Sequence, residues 1–208
     1  MKIIEPSFEI LTKIDGQYIL SLIELIGRTA YKSENKITKD SAKKFVEMII
    51  RRGHESVIEH FSITVKFICD RGISHEIVRH RIASYTQESS RFCNYSKNRF
   101  NNSITVIRPE GYLSQAEYEI WKNGIANSEK TYFALIEKNI APEIARGVLP
   151  IDLKTEVVMT ANLREWRHFF KMRTNISAHP KMRELTIPLL KEFKKQIPII
   201  FNDIEIIV

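Results

Sequence analysis

Between residues 79 and 95 the chain reads Arg79-His80-Arg81-Ile82-Ala83-Ser84-Tyr85-Thr86-Gln87-Glu88-Ser89-Ser90-Arg91-Phe92-Cys93-Asn94-Tyr95. Two guanidinium groups flank an imidazole, and eight residues past Arg81 come a pair of serines and a further arginine. A guanidinium is a planar fork of donors that matches phosphate, carboxylate and carbonyl edges. Serine hydroxyls and loop N–H groups complete such a cradle. The stretch therefore reads as a helix end feeding an anion-binding loop. On a helix Arg79 and Arg81 diverge by about 200°, so each reaches a different ligand, as in a site between two ligands or between subunits. A solvated basic loop would share this composition, but not the fixed offset of Ser89 and Arg91. Ser89 has no His-Asp arrangement in the sequence to activate it and is read as a hydrogen-bonding residue. Cys93 is the rival nucleophile, since Arg91 could depress a thiol pKa.

The flanking elements must hold this string in place. A helical period runs from Asp15, an N-cap, to residue 32. A second helix, capped by Thr38 or Asp40, buries Ala42, Phe45, Val46, Ile49 and Ile50 and stops at Gly53. His54-Glu55-Ser56 lies in a turn. Phe61 to Cys69 alternates apolar and polar residues, a strand with one buried face. Asp70-Arg71-Gly72 turns the chain, and Ser74 caps a helix carrying Ile77, Val78 and Ile82. A short strand is expected within 102–108, a long helix over 110–139, and a short helix at Pro142 with Arg146 near its end. Leu153 to Thr160 reads as a strand. Asn162 caps a helix to Met172 that buries Trp166, Phe169 and Phe170, with Arg164 and His168 sharing another face. The final helix spans about 180–201 and is kinked at Pro188.

Composition narrows the classes. The 208 residues suffice for one domain, 1–208, with a good core. No apolar run has membrane-spanning length and the N-terminus lacks a signal-peptide pattern, so cytoplasmic placement is expected. Two cysteines, Cys69 and Cys93, make neither a disulfide framework nor a zinc site, and no metal is expected. The net charge is +7, and it is concentrated: residues 71–99 hold six Lys/Arg against two Glu, and 163–183 six against one. Such clusters suit compact anions such as nucleotides. They also suit RNA or DNA, which would bind in a salt-sensitive way.

The Arg79-His80-Arg81 to Ser89 spacing, with Arg91, resembles the signature of the flavin-dependent thymidylate synthases. Arg51-Arg52-Gly53-His54-Glu55-Ser56 with Glu59-His60 is similar to the family's upstream segment. Arg146-Gly147-Val148-Leu149-Pro150 through Arg173 is similar to its downstream half. The resemblance implies an α/β fold, helices packed on a largely antiparallel mixed sheet, assembled as a homotetramer with shared active sites. It implies FAD contacts at Ser56, Arg79, His80, Arg81, Gln87, Asn162, Arg164 and His168. It implies dUMP contacts at Glu76, Arg79, Gln87, Glu88, Ser89, Ser90, Arg91, Arg146 and Arg173, with Arg146 reaching the phosphate in a neighbouring subunit. Some relatives carry Gln at the position of Glu76, which is expected to face base or ribose, since its charge would repel phosphate. By the same argument Glu88 is expected to offer its backbone N–H. Past Arg173 the sequence departs from the family pattern, with His179 six residues on.

The reaction implied is reductive methylation of dUMP to dTMP, a methyltransferase step in nucleotide biosynthesis. FAD reduced by NADPH is the hydride source, 5,10-methylenetetrahydrofolate the carbon donor, and tetrahydrofolate the product released. Uracil C5 becomes nucleophilic only when negative charge is raised on the ring. Arg173, always cationic, would stabilise that charge without an enzyme thiolate. No nucleic acid or membrane partner is implied. A uracil methylase acting on tRNA is a further alternative, but 208 residues leave little room for its groove.

Overall fold

In the computed structural model, which describes residues 1–97, 100–109 and 111–206, period-two and period-3.6 stretches become strands and helices largely where expected. The chain forms β1 (Lys2–Ile4), β2 (Ser7–Ile10), α1 (Gly16–Thr29), α2 (Ser41–Arg51), β3 (Ser62–Asp70) and α3 (Arg71–Ile77). There follow β4 (Ala83–Gln87), β5 (Thr105–Ile107), α4 (Gln115–Glu137), α5 (Pro142–Ala145), β6 (Lys154–Asn162), α6 (Leu163–Arg173), α7 (Pro180–Gln196) and α8 (Pro198–Phe201). Four strands form a sheet in the order β2-β3-β6-β4, while β1 pairs in parallel with β5. Neighbours β3 and β6 are antiparallel: Thr64 Oγ1 meets Thr160 Oγ1 at 2.9 Å, and Arg71 N–H donates to the Leu153 carbonyl at 3.1 Å, so numbers climb on one strand as they fall on the other. This is the expected α/β class with a largely antiparallel sheet.

Contacts group the chain into two compact units. The first comprises 1–7, 67–79 and 86–158; the second comprises 8–66, 80–85 and 159–208. In the first, Ile104, Val106, Ile125, Tyr132, Ala145 and Leu153 form a core with Tyr95. In the second, Trp166, Phe170, Phe193 and Phe201 are fully buried and meet ring against ring, Trp166 and Phe170 with centroids 5.7 Å apart. These contacts seat α6 against α7 and α8. Each large aromatic buried this way contributes roughly 2–3 kcal/mol through removal from water.

Several expectations are corrected. The helix after β3 begins at Arg71: Asp70, not Ser74, is the cap, accepting from Ile73 N–H at 2.7 Å, while Ser74 Oγ donates to the Arg71 carbonyl at 2.8 Å. That helix ends at Ile77, so Arg79 and Arg81 do not share a helix but lie in the connection to β4, which begins at Ala83. Strands β1 and β2 had no period long enough to be read. Asp40 precedes α2 without a side-chain cap bond. Gly53 stops α2 as expected, at φ +69°, the left-handed region that costs a residue with Cβ about 1–2 kcal/mol. The long helix starts at Gln115 behind a Ser114–Glu117 capping box, and Glu110, its expected first residue, lies outside the described residues. Its apolar stripe is only partly core: Ile125 and Tyr132 are buried, while Ile120 is 72% exposed. The C-terminal helix is two helices, α7 and α8, broken at Ile197-Pro198, whereas Pro188 sits inside α7. Among the described residues, no helix is long and apolar enough to cross a membrane.

Candidate active site

Helix α6 positions the central cluster of the second unit. Asn162 accepts from Glu165 N–H at 2.9 Å and so starts the helix. Trp166 Nε1 donates to the Ile63 carbonyl at 3.0 Å and pins α6 to β3. With that face buried, the opposite face presents Arg164, His168 and Lys171. These line a cleft of about 530 Å³ together with Glu55, Glu59, Ile82, Asn162, Glu165 and Arg167. Arg164 Nη1 donates to Glu59 Oε1 at 2.6 Å, an exposed pair.

At one side of α6 lies a buried polar chain. His80, only 6% exposed, places Nδ1 2.9 Å from Glu165 Oε1, and Arg173 Nε donates to His80 Nε2 at 3.1 Å. The Phe169 and His168 rings pack edge-on against His80, at 4.9 and 5.5 Å. The Tyr85 hydroxyl donates to the His80 carbonyl at 2.7 Å. Burial, first of all, holds the His80 pKa below its usual value near 6.5; the Arg173 charge and His168 act the same way, and Glu165 opposes them. The ring is therefore neutral near pH 7. Burial beside Glu165 raises the Tyr85 phenol to about 12, so it stays a donor.

The first unit gathers the other predicted residues. Ser89 Oγ accepts from Arg91 N–H at 3.3 Å, and the Ser89 carbonyl accepts from Cys93 N–H at 2.9 Å, a tight turn that sets the loop. Arg91 Nε donates to Glu143 Oε2 at 3.1 Å, and Arg146 Nη1 donates to Ser90 Oγ at 3.3 Å. Ser90, Arg91 and Arg146 thus come together around Glu143, whose carbonyl also accepts from Arg146 Nε at 3.2 Å. Gln87 behaves differently: its Nε2 donates to Ser74 Oγ at 2.9 Å and Thr155 Oγ1 at 3.2 Å. Its amide protons are spent inside the unit. Glu88 corrects the expectation placed on it. Its backbone N–H donates to the Glu156 carbonyl at 2.8 Å, and its carboxylate pairs with Lys154 at 3.0 Å.

Ser56 is exposed on the turn Glu55–His60, and Arg79 and Arg81 are exposed at either side of His80 in sequence. Glu76 lies on α3, half-buried. His179 caps α7, its Nδ1 accepting from Lys181 N–H at 3.2 Å. Two residues without an expected role prove central. Glu165 holds His80. Arg167, 3% exposed, forms a bidentate pair with Asp203 at 2.7 Å twice over, donates to Glu55 at 2.9 Å and to the Ile200 carbonyl. In the sequence both read as ordinary charges on the helix surface, among Asn162, Arg164, His168 and Lys171. His80, Glu165 and His168 also offer three ligand atoms within 4.8 Å of one another. The adjacent Arg173 guanidinium opposes a second cation there.

The flavin-dependent thymidylate synthase of Pyrococcus abyssi is 38% identical over 167 residues, 79% of this chain and 68% of the relative. That of Geobacter sulfurreducens is 31% identical over 188 residues, 87% of this chain and 80% of the relative. A family model described as thymidylate synthase complementing protein matches residues 17–199. The chain belongs to the flavin-dependent thymidylate synthase family. The fold agrees: a UMP/dUMP methylase, PolB, from Streptomyces cacaoi, solved with 5-Br dUMP, superposes with a TM-score of 0.80 at 20% identity, over 97% of this chain and 96% of that one.

Family membership makes FAD the group to test against the second unit's cleft. Ile82, 70% exposed, offers an apolar wall, and Arg164, His168 and Lys171 offer cations or donors. The Arg164–Glu59 pair is exposed and so contributes little to stability; a phosphate could replace Glu59 without stranding a buried charge. The residues present fit the cofactor.

Proposed function

We propose that the chain is a flavin-dependent thymidylate synthase that methylates dUMP to dTMP, with Arg173 stabilising negative charge on the uracil ring and no enzyme cysteine as nucleophile. The observation that carries this reading is the Arg173 Nε–His80 Nε2 bond of 3.1 Å, which ties the late arginine to the Arg79-His80-Arg81 signature. When bound, FAD reduced by NADPH supplies the hydride equivalent, and 5,10-methylenetetrahydrofolate the carbon. Arg164, His168 and Asn162, with Ser56, Arg79 and Arg81, hold the flavin. Ser89, Ser90, Arg91 and Arg146 hold the nucleotide phosphate, and Glu76 faces base or ribose. Gln87 closes β4 and Glu88 directly follows it, and both shape this region through their bonds to Ser74, Thr155, Glu156 and Lys154.

Arg173 keeps its charge at any working pH, so it opposes the anion that develops as C5 becomes nucleophilic. A preorganised donor of this kind contributes roughly 3–4 kcal/mol to transition-state stabilisation. Its fixed partner spares it reorganisation at the moment of reaction. Thiolate addition at C6 has poor support. Cys69 is buried, and burial beside Asp70 pushes its thiol up to about 12. Cys93 is half-buried in the turn after Ser89. Active sites built from several copies of the chain are part of the proposal.

The test is tritium release from 5-tritiated dUMP, with NADPH oxidation followed in parallel, for the wild type, Cys93→Ala and Arg173→Ala. Release should need dUMP, NADPH and methylenetetrahydrofolate, survive in Cys93→Ala, and fall by two to three orders of magnitude in Arg173→Ala. A colourless protein that takes up no FAD and ignores dUMP, or an inactive Cys93→Ala, overturns the reading.

A further inference from the structure

Glu165 sits in the first turn of α6, and Arg173 closes the same helix about 12 Å further along its axis. The His80 ring spans the gap, with Nδ1 on Glu165 Oε1 at 2.9 Å and Nε2 accepting from Arg173 Nε at 3.1 Å. The proton positions follow from chemistry. Arg173 Nε–H can only donate, so His80 Nε2 must carry a lone pair. A neutral imidazole then holds its single proton on Nδ1, and only an acceptor can face that atom. Glu165, 7% exposed, is that acceptor.

We propose that Glu165 is a positioning residue: by holding the His80 proton on Nδ1 it keeps Nε2 bare, and so fixes the orientation of Arg173. This rests on the reading that Arg173 acts on the uracil ring. Without Glu165, the ring is free to take the other tautomer, which sets Nε2–H against Nε–H and breaks the tie to Arg173. Protonation of His80 breaks it in the same way. The groups facing His80 are Glu165, His168 and Arg173 from α6, with the Tyr85 hydroxyl from β4 at its carbonyl. Burial keeps the ring neutral, so the arrangement holds at neutral pH and is lost on acidification.

The test uses Glu165→Ala and Glu165→Gln. Gln retains an oxygen that accepts from Nδ1–H, but not the charge. Imidazole nitrogen spectra of the purified protein without added substrate should show His80 protonated on Nδ1 in the wild type and in Glu165→Gln, and on Nε2 in Glu165→Ala. The kcat for dUMP methylation should fall roughly 10- to 100-fold in Glu165→Ala and recover in Glu165→Gln. The acid limb of the Glu165→Gln pH profile should move to lower pH, because the anion that favours His80 protonation is gone. That shift serves alone if Glu165→Ala fails to fold. A folded Glu165→Ala with an unchanged His80 tautomer, or with full kcat, or an unmoved acid limb in Glu165→Gln, overturns the proposal. If the wild type does not turn over dUMP, the proposed reaction falls, while the tautomer result still decides whether Glu165 sets the His80 proton.

Discussion

Arg167→Ala should unfold the second unit more readily than any surface change. Arg167 is 3% exposed, and its guanidinium makes two bonds to Asp203 at 2.7 Å, one to Glu55 at 2.9 Å and one to the Ile200 carbonyl. It therefore joins α6 to the turn before β3 and to the end of α8. Removing one partner of a buried pair costs roughly 3–5 kcal/mol, because the other charge is left without compensation. Here the relief is unequal. The Asp203 side chain is 48% exposed and can rehydrate, but that of Glu55 is only 22% exposed and the Ile200 carbonyl is buried with its residue. The lower end, about 3 kcal/mol, is the expected loss. For a chain of this size that lowers Tm by roughly 6–12 °C. Thermal unfolding followed by far-UV circular dichroism, together with a urea titration, measures it. Arg167→Lys should recover little, since an ammonium cannot reproduce the bidentate geometry. A loss below about 1 kcal/mol for Arg167→Ala would place this network among exposed pairs of no consequence and refute the reasoning.

Gly27→Ala should destabilise the α1–α2 contact by roughly 1–3 kcal/mol, because the added Cβ would lie 2.7 Å from Phe45 Cε1; Phe45→Leu should relieve it, and a neutral Gly27→Ala in urea unfolding would count against this packing. His80 has a folded pKa below its unfolded value, so the unfolded chain binds the extra proton; its contribution to stability is complete above about pH 6.5 and is lost as pH falls through the lower folded value. A Tm profile that stays level from pH 7 to 5 contradicts this. Asp203, held down by Arg167, acts in a lower window: its contribution is present above about pH 4 and lost below, so Asp203→Asn should flatten the acid end of the same profile. Cys69, with a thiol near 12, should resist alkylation by iodoacetamide at pH 8 in the folded protein and react only after unfolding.

Much of this was legible along the chain. Asp15 and Asn162 cap the helices they were expected to cap, since such a bond needs only residues three apart: Asp15 accepts from Tyr18 N–H at 3.0 Å and Asn162 from Glu165 N–H at 2.9 Å. Ile63, Val65, Phe67 and Cys69 are all buried along β3, because a two-residue period needs no knowledge of its partner. The signature from Arg79 to Arg91 was visible as a string. Its geometry was not. Local pattern continued α3 to Ile82, but the helix ends at Ile77, and β4 takes Ala83–Gln87 as a strand, where pairing with β6 prevails over local preference. The roles of charged residues were hidden for the same reason. Glu165 and Arg167 look like ordinary helix-surface charges in sequence; what they do depends on His80, 85 residues away, and on Asp203, 36 away. Local propensity and periodicity act over a few residues, whereas a buried charge is defined by whatever partner folding brings within 3 Å, and that distance has no trace in the order of the letters.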